Sequence, residues 1–288
     1  MRKFLNILLA LVICFGMTGC IKRDSMEDIT IYTTNYPTEY ITNILYGKYS
    51  KVKSIYPDGI NVSSYKLTDK QINDYSKADL YIFNGLSNEK DYALKMRKDN
   101  KNLKIIDTTL SMEYTNDVNE LWLDPSNFLM MAQNIKKGFE EYINNYYLNN
   151  EINENYENLK ISASNLDAKI KEIISSGNSK VIVGTSNMFK YLEKYGLTVY
   201  SLDASNANVD QTFKEVRRMI KNGEIKYIFT KGNEEVNSDV SSLISDTGIT
   251  SLKWHTLDNI SESERTQNKD YFSLMNDNLE LLKNELYK

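Results

Sequence analysis

The sequence predicts an α/β protein built as two parallel-sheet α/β lobes joined by one long rigid helix. Two observations lead there: an uninterrupted apolar stripe in mid-chain, and alternating strand and helix patterns on both sides of it. The stripe is Ile152, Tyr156, Leu159, Ala163, Leu166, Ile170 and Ile173. Its steps alternate between four and three residues, the pattern of a helix buried along one side. No Pro or Gly interrupts it, and Ser175-Ser176-Gly177-Asn178 supplies a stop. At 1.5 Å of rise per residue the helix over 152–176 spans roughly 35 Å, about the width of a small domain. It is therefore read as a rigid strut that limits the lobes to small tilts.

The chain opens with Arg2 and Lys3, an apolar run from Phe4 to Met17, and then Thr18-Gly19-Cys20. A basic start, a short apolar stretch and small residues before a cleavage point describe a secretory leader, too short for a comfortable membrane span. Residues 1–19 are read as that leader and residues 20–28 as a polar tether. Cys14 falls in the leader, so Cys20 is the lone mature cysteine and no intrachain disulfide can form. The 269 residues from Cys20 to Lys288 suffice for two ordinary domains held together by their cores. The 35 Lys and Arg against 39 Asp and Glu give a net charge of −4, and loss of Arg2 and Lys3 makes it −6. That balance argues against nucleic acid and against a basic membrane-binding surface.

The first lobe is placed at residues 29–151. Ile29 to Thr33, Val52 to Tyr56, Leu80 to Phe83 and Leu103 to Ile106 read as strands. Helices are expected from Thr38 to Tyr46, from Asp69 to Ser76 behind the capping box Thr68-Asp69-Lys70-Gln71, and from Asn88 to Lys98. The second lobe is placed at residues 177–288. Its strands are Val181 to Gly184, Val199 to Leu202, Tyr227 to Thr230 and Ser251 to Trp254. Its helices are Met188 to Tyr195, Val209 to Asn222, Glu234 to Ser245 and Tyr271 to Tyr287, the first two ending at Gly196 and Gly223. Strands separated by helices imply a parallel sheet covered on both faces, with ligands taken at the carboxyl ends of the strands. The Met and Tyr stripes along these helices read as core faces. Catalysis finds no support: the chain has no Gly-rich phosphate loop, no Cys pair and no His beside a nucleophile. Asp124 beside Glu120 could suggest a carboxylate pair, but next to Pro125 it reads as the N-terminal acid of a helix.

Several short stretches carry a resemblance. Met17-Thr18-Gly19-Cys20 resembles a bacterial lipobox, in which the Cys becomes the lipidated first residue; Met17 stands where Leu is usual. Thr33-Thr34-Asn35-Tyr36-Pro37, Pro57-Asp58-Gly59-Ile60-Asn61, Ala78 to Leu86 and Trp122-Leu123-Asp124-Pro125 follow in that order. Phe189-Lys190-Tyr191-Leu192 and Tyr271 to Asn278 continue the likeness more faintly. Together they resemble the metal-type substrate-binding lipoproteins of ABC importers, the zinc and manganese receptor family. The resemblance implies a solute-binding protein of the cluster A-I type, which holds a divalent metal ion as cargo between its lobes. It also implies an ABC permease as partner, no organic cofactor, a monomer, and an anchor at the outer face of the cell membrane through Cys20.

The family's four metal ligands fall on Ser63, Glu120, Ser186 and Asp258. Imidazole is missing from all four. Two hydroxyls that stay neutral at pH 7 are poor donors for zinc, which takes N, S or carboxylate ligands at close range. Glu120 and Asp258 are hard oxygen donors, better suited to Mn²⁺ or Ca²⁺ with water completing the shell. The one histidine, His255, stands three residues before Asp258 and is a weak candidate for a replacement ligand. Two rival readings follow: the same receptor with a chelate or organic cargo, and a surface adhesin-like lipoprotein with a vestigial cleft.

Overall fold

The computed structural model describes residues 26–114, 117–232 and 234–288. The first lobe interleaves β1 (Ile29–Thr33), α1 (Tyr36–Tyr46), β2 (Ser50–Ser54), α2 (Asp69–Tyr75), β3 (Leu80–Phe83), α3 (Glu89–Asp99) and β4 (Lys104–Asp107). Helices α4 (Pro125–Tyr142) and α5 (Tyr146–Ser176) lead to the second lobe. There β5 (Val181–Gly184) is followed by a 3₁₀ stretch, Asn187–Tyr195, then β6 (Thr198–Ser201), α6 (Val209–Lys221), β7 (Tyr227–Lys231), α7 (Ser238–Thr247) and β8 (Thr250–Trp254). The chain closes with α8 (Glu262–Thr266) and α9 (Tyr271–Leu286). Each lobe holds one parallel sheet, ordered β2-β1-β3-β4 and β6-β5-β7-β8. Both orders reverse between the lobe's first and third strands, the place where open α/β sheets bind ligands.

Alternation along each central strand divides the core. Leu80 and Ile82 enter the core cluster shared by both lobes, and Tyr81 and Phe83 a second cluster on the other side of the sheet. Ile182 and Val183 split the same way in the second lobe. The shared cluster runs from Ile31 and Leu45 through Phe128 and Leu159 to Trp254 and Leu282. In it, Trp254 meets Phe189 and Phe229 edge-on, with ring centroids 5.6 and 5.7 Å away.

The seven apolar positions of the mid-chain stripe are all buried, and their helix packs against α4, α1 and α9. It starts six residues earlier than expected, at Tyr146, and is 31 residues long. Asn145 accepts the Tyr147 N–H at 2.9 Å as its cap, and Leu148 extends the buried stripe by one turn. The exposed Tyr146 and Tyr147 conceal that start in the sequence. Other boundaries move for the same local reason. α1 begins at Tyr36 because Asn35 accepts the Thr38 N–H at 3.1 Å, and α7 begins at Ser238 because Asn237 caps it. Met188 to Tyr195 is 3₁₀ rather than α.

The tether expected over residues 20–28 is shorter at its far end. Met26 is fully buried and its carbonyl accepts the Tyr46 hydroxyl at 2.9 Å, while the Asp28 N–H donates to Tyr49 O at 2.9 Å. The leader and Cys20 lie outside the described residues. Among the described residues no helix is long and apolar enough to cross a membrane.

Helix α4 crosses β4 at Gly138, where an added Cβ would stand 2.5 Å from Ile106 Cγ1 and 2.6 Å from its Cδ1. In an open helix Gly→Ala is stabilising by about 1 kcal/mol. Here the buried, β-branched Ile106 has little freedom to give way. Gly138→Ala is therefore expected to destabilise by about 1–3 kcal/mol in urea denaturation, and a stabilised variant would show that the contact relaxes freely.

Candidate functional site

The carboxyl ends of both sheets face one another, and the loop between β4 and α4 bridges the gap. Its 3₁₀ turn, Leu121–Leu123, is buried. The Trp122 indole N–H donates to Thr256 O at 2.8 Å, and the Tyr271 hydroxyl donates to Trp122 O at 2.6 Å. Phe128 stacks on Tyr271 with centroids 3.9 Å apart. Asp124 caps α4 by accepting the Ser126 N–H at 2.8 Å, the role its place beside Pro125 suggests. It also pairs with Lys194 of the second lobe. On the other rim Arg265 pairs with Glu39 at 2.8 Å and Asp58 at 2.7 Å, and the Tyr36 N–H donates to Asp258 O at 3.0 Å.

Of the expected site residues, Glu120, Asp258 and Ser63 line one cavity of about 790 Å³, together with Tyr56, Tyr65, Tyr92 and Glu89. Glu120 is 4% exposed, and its Oε2 has no hydrogen-bond partner among the described residues. Asp258 is also buried and accepts the Thr256 hydroxyl. Burial raises its carboxyl above the ordinary value, against the pull of Thr256 and His255. Ser63 is exposed and turned locally, donating its hydroxyl to Asn61 Oδ1 at 2.7 Å.

Ser186 and His255 stand apart from that cavity. Ser186 lines a smaller one of about 250 Å³. It reaches the acidic loop through Asp117, to whose Oδ2 it donates at 3.3 Å. His255 lines a third cavity, of about 370 Å³, that also touches Asp258. Its ring is engaged on both sides: Nδ1 accepts the Leu257 N–H at 3.0 Å, and Nε2 lies 3.2 Å from Glu264 Oε1. The described residues hold no group of three or more His, Cys, Asp or Glu side chains arranged to hold a metal.

Beside Ser186 in the smaller cavity stands a lysine that sequence reasoning missed. Lys231, the last residue of β7, places its Nζ 2.9 Å from Glu120 Oε1, 3.1 Å from Asp117 Oδ2 and 3.7 Å from Glu234 Oε1. Its side chain is 12% exposed. Burial works against its charge, but the Glu120 and Asp117 carboxylates outweigh that and hold it well above the ordinary lysine range. Burial likewise raises Asp117, and the hydrogen bond with Glu120 and the Lys231 charge more than offset it. Glu120 ends near 8: burial lifts it, Lys231 opposes, and Asp117 adds to the rise. One ammonium thus faces two carboxyl groups, and burial beside Asp117 shifts Glu120 toward its protonated form. The only signal in the sequence was a charged residue closing an apolar strand at its carboxyl end.

Glu89 also faces the large cavity and is buried, its Oε2 accepting the Asn84 N–H at 2.9 Å. Burial raises it to about 7 despite hydrogen bonds from Thr34, Asn84, Ser87 and Asn35. An acid whose folded value lies above its unfolded one of about 4.3 binds more protons when folded, so stability falls as pH rises between the two and levels off above. The wild type is expected to lose roughly 5 °C of Tm between about pH 4.5 and 7 from this group, and Glu89→Gln to remove that part of the profile. Superimposable wild-type and variant profiles would count against it.

Comparison with known proteins follows the same outline. A family model described as zinc-uptake complex component A, periplasmic (ZnuA), matches residues 31–285. A metal ABC transporter substrate-binding lipoprotein of Lactococcus lactis is 25% identical over 316 residues, covering 100% of this chain and 98% of that one. The manganese ABC transporter substrate-binding lipoprotein PsaA of Streptococcus pneumoniae is 23% identical, with 100% of both chains covered. The crystal structure of the Zn(II)-bound ZnuA-like domain of Streptococcus pneumoniae AdcA superposes with a TM-score of 0.74 at 20% identity, over 91% of this chain and 100% of that one.

Proposed function

The chain belongs to the zinc-uptake complex component A family, and from that membership we propose that it is the extracytoplasmic substrate-binding component of an ABC importer for divalent metals of the zinc and manganese class. The family is one of transport receptors rather than enzymes. Relatives matched along their whole length are named metal or manganese ABC transporter substrate-binding lipoproteins, which supports the class of cargo. The observation that carries the reading is one cavity at the strand ends, to which the first lobe contributes Glu120 with a free Oε2 and the second contributes Asp258. Two carboxylate oxygens from opposite lobes would coordinate the ion, the Ser63 hydroxyl and water would add neutral oxygens, and Ser186 and His255 would act from the edge. Such a set favours a hard cation over zinc held by imidazoles. Lipidation of Cys20 would hold the receptor at the outer face of the membrane as a monomer, beside the permease that takes the ion from it.

Isothermal titration of residues 20–288 with Mn²⁺ and Zn²⁺ tests the reading. One ion per chain is expected, with Mn²⁺ preferred, and Glu120→Gln and Asp258→Asn each weaken binding by about tenfold or more. Absence of heat with either ion up to about millimolar concentration would overturn the metal cargo.

A further inference from the structure

We propose that Lys231 sets which cations the cleft admits: its ammonium occupies the inter-lobe oxygen cluster of Asp117, Glu120 and Glu234 as a tethered ion, and a divalent metal can use those oxygens only by displacing it. The proposal rests on reading the cleft as a metal receptor and names the residue that tunes it.

Position supports this first. Lys231 ends β7, and Ser186 follows the end of neighbouring β5, so both stand where the strand order of the second sheet reverses. Asp117 and Glu120 reach the same point from the first lobe, and Glu234 approaches from the loop after β7. The three carboxyl groups and the Ser186 hydroxyl, which bonds to Asp117, are hard oxygens of the type that binds Mn²⁺ or Ca²⁺, but around the ammonium they stand too far apart to hold a metal as they are. The ammonium supplies the positive charge such a set requires, at 2.9 to 3.7 Å. Ion–oxygen distances would be about 2.0–2.6 Å, so the carboxylates would draw inward around a smaller, doubly charged occupant. The second oxygen of Glu120 is not engaged by the ammonium. It is buried and meets no donor among the described residues, Lys231 engaging Oε1.

Titration calorimetry with MnCl₂ on the full mature chain compares wild type, Lys231→Ala, Lys231→Gln and Lys231→Arg. Both neutral variants are expected to bind Mn²⁺ about tenfold or more tighter than wild type, because a positive charge has left the cluster. Lys231→Arg keeps the tethered cation and the weaker binding. Adding Asp117→Asn to Lys231→Ala removes the gain. Thermal melts guard against misfolding: Mn²⁺ raises the Tm of Lys231→Gln by more than that of wild type. Wild-type binding that is unchanged or weakened in both neutral variants overturns the role of Lys231 and leaves the metal cargo standing. Binding seen only in the neutral variants supports the role and removes the metal cargo of the wild type. Silence in every variant overturns both.

Discussion

Trp122 is the side chain on which the cleft is hung. Its indole N–H reaches Thr256 O at 2.8 Å and its carbonyl takes the Tyr271 hydroxyl at 2.6 Å, both buried. Breaking either bond would strand a polar group away from water, so the loop of the first lobe is clamped to the last strand end and last helix of the second. Glu120 stands two residues before the tryptophan, and Asp258 two residues after its acceptor. The clamp therefore sets where both carboxyls sit. Phe128 stacked on Tyr271, and the long helix beneath α1, α4 and α9, extend the clamp into a core common to both lobes. Wide separation of the lobes would expose that shared apolar surface, and the favoured motions are small ones near the cleft rim.

Electrostatics inside the clamp follow from burial. Asp258, Glu89 and Glu120 all rise above the ordinary carboxyl range, chiefly by desolvation, although each has partners that pull it down. A cavity with such walls favours a positive guest, which would relieve the penalty of three buried acids. Lys231 already plays that part for Asp117 and one oxygen of Glu120. A buried ion pair of this kind adds little net stability, because desolvation consumes most of the attraction, so its value lies in position and charge. The rim pairs differ: Arg265 with Glu39 and Asp58 keeps contact with water, and serves to hold the second lobe against α1.

Local boundaries show how far patterning reaches. The capping box at Thr68 and Gln71 was visible because its two residues sit at a fixed spacing and bond to one another. Helix α4 was visible only through its first acid and Pro125, because its buried face of Phe128, Met131, Ala132, Ile135 and Phe139 is diluted by polar and small neighbours. The start of the strut was missed where exposed tyrosines interrupt the pattern. Met26 reads as tether in the sequence because a single apolar residue among charges carries no periodic signal, yet it is fully buried against Tyr46.

The amino-acid order by itself determined two parallel-sheet lobes and the buried face of the helix between them, because periodicity and capping depend on neighbours within a few residues; the acids at 120 and 258 were marked only by the resemblance to the receptor family. Only the folded chain decided what those acids meet. Lys231 and Asp117 lie 114 residues apart in the chain and 3.1 Å apart across the cleft, and no pattern within either segment encodes that encounter. His255 was turned toward Glu264 and Ser186 toward Asp117 by the same kind of contact, made between lobes or through a loop of several residues. A charge acts through space rather than along the backbone, so its partners become legible only when the tertiary fold brings them within reach.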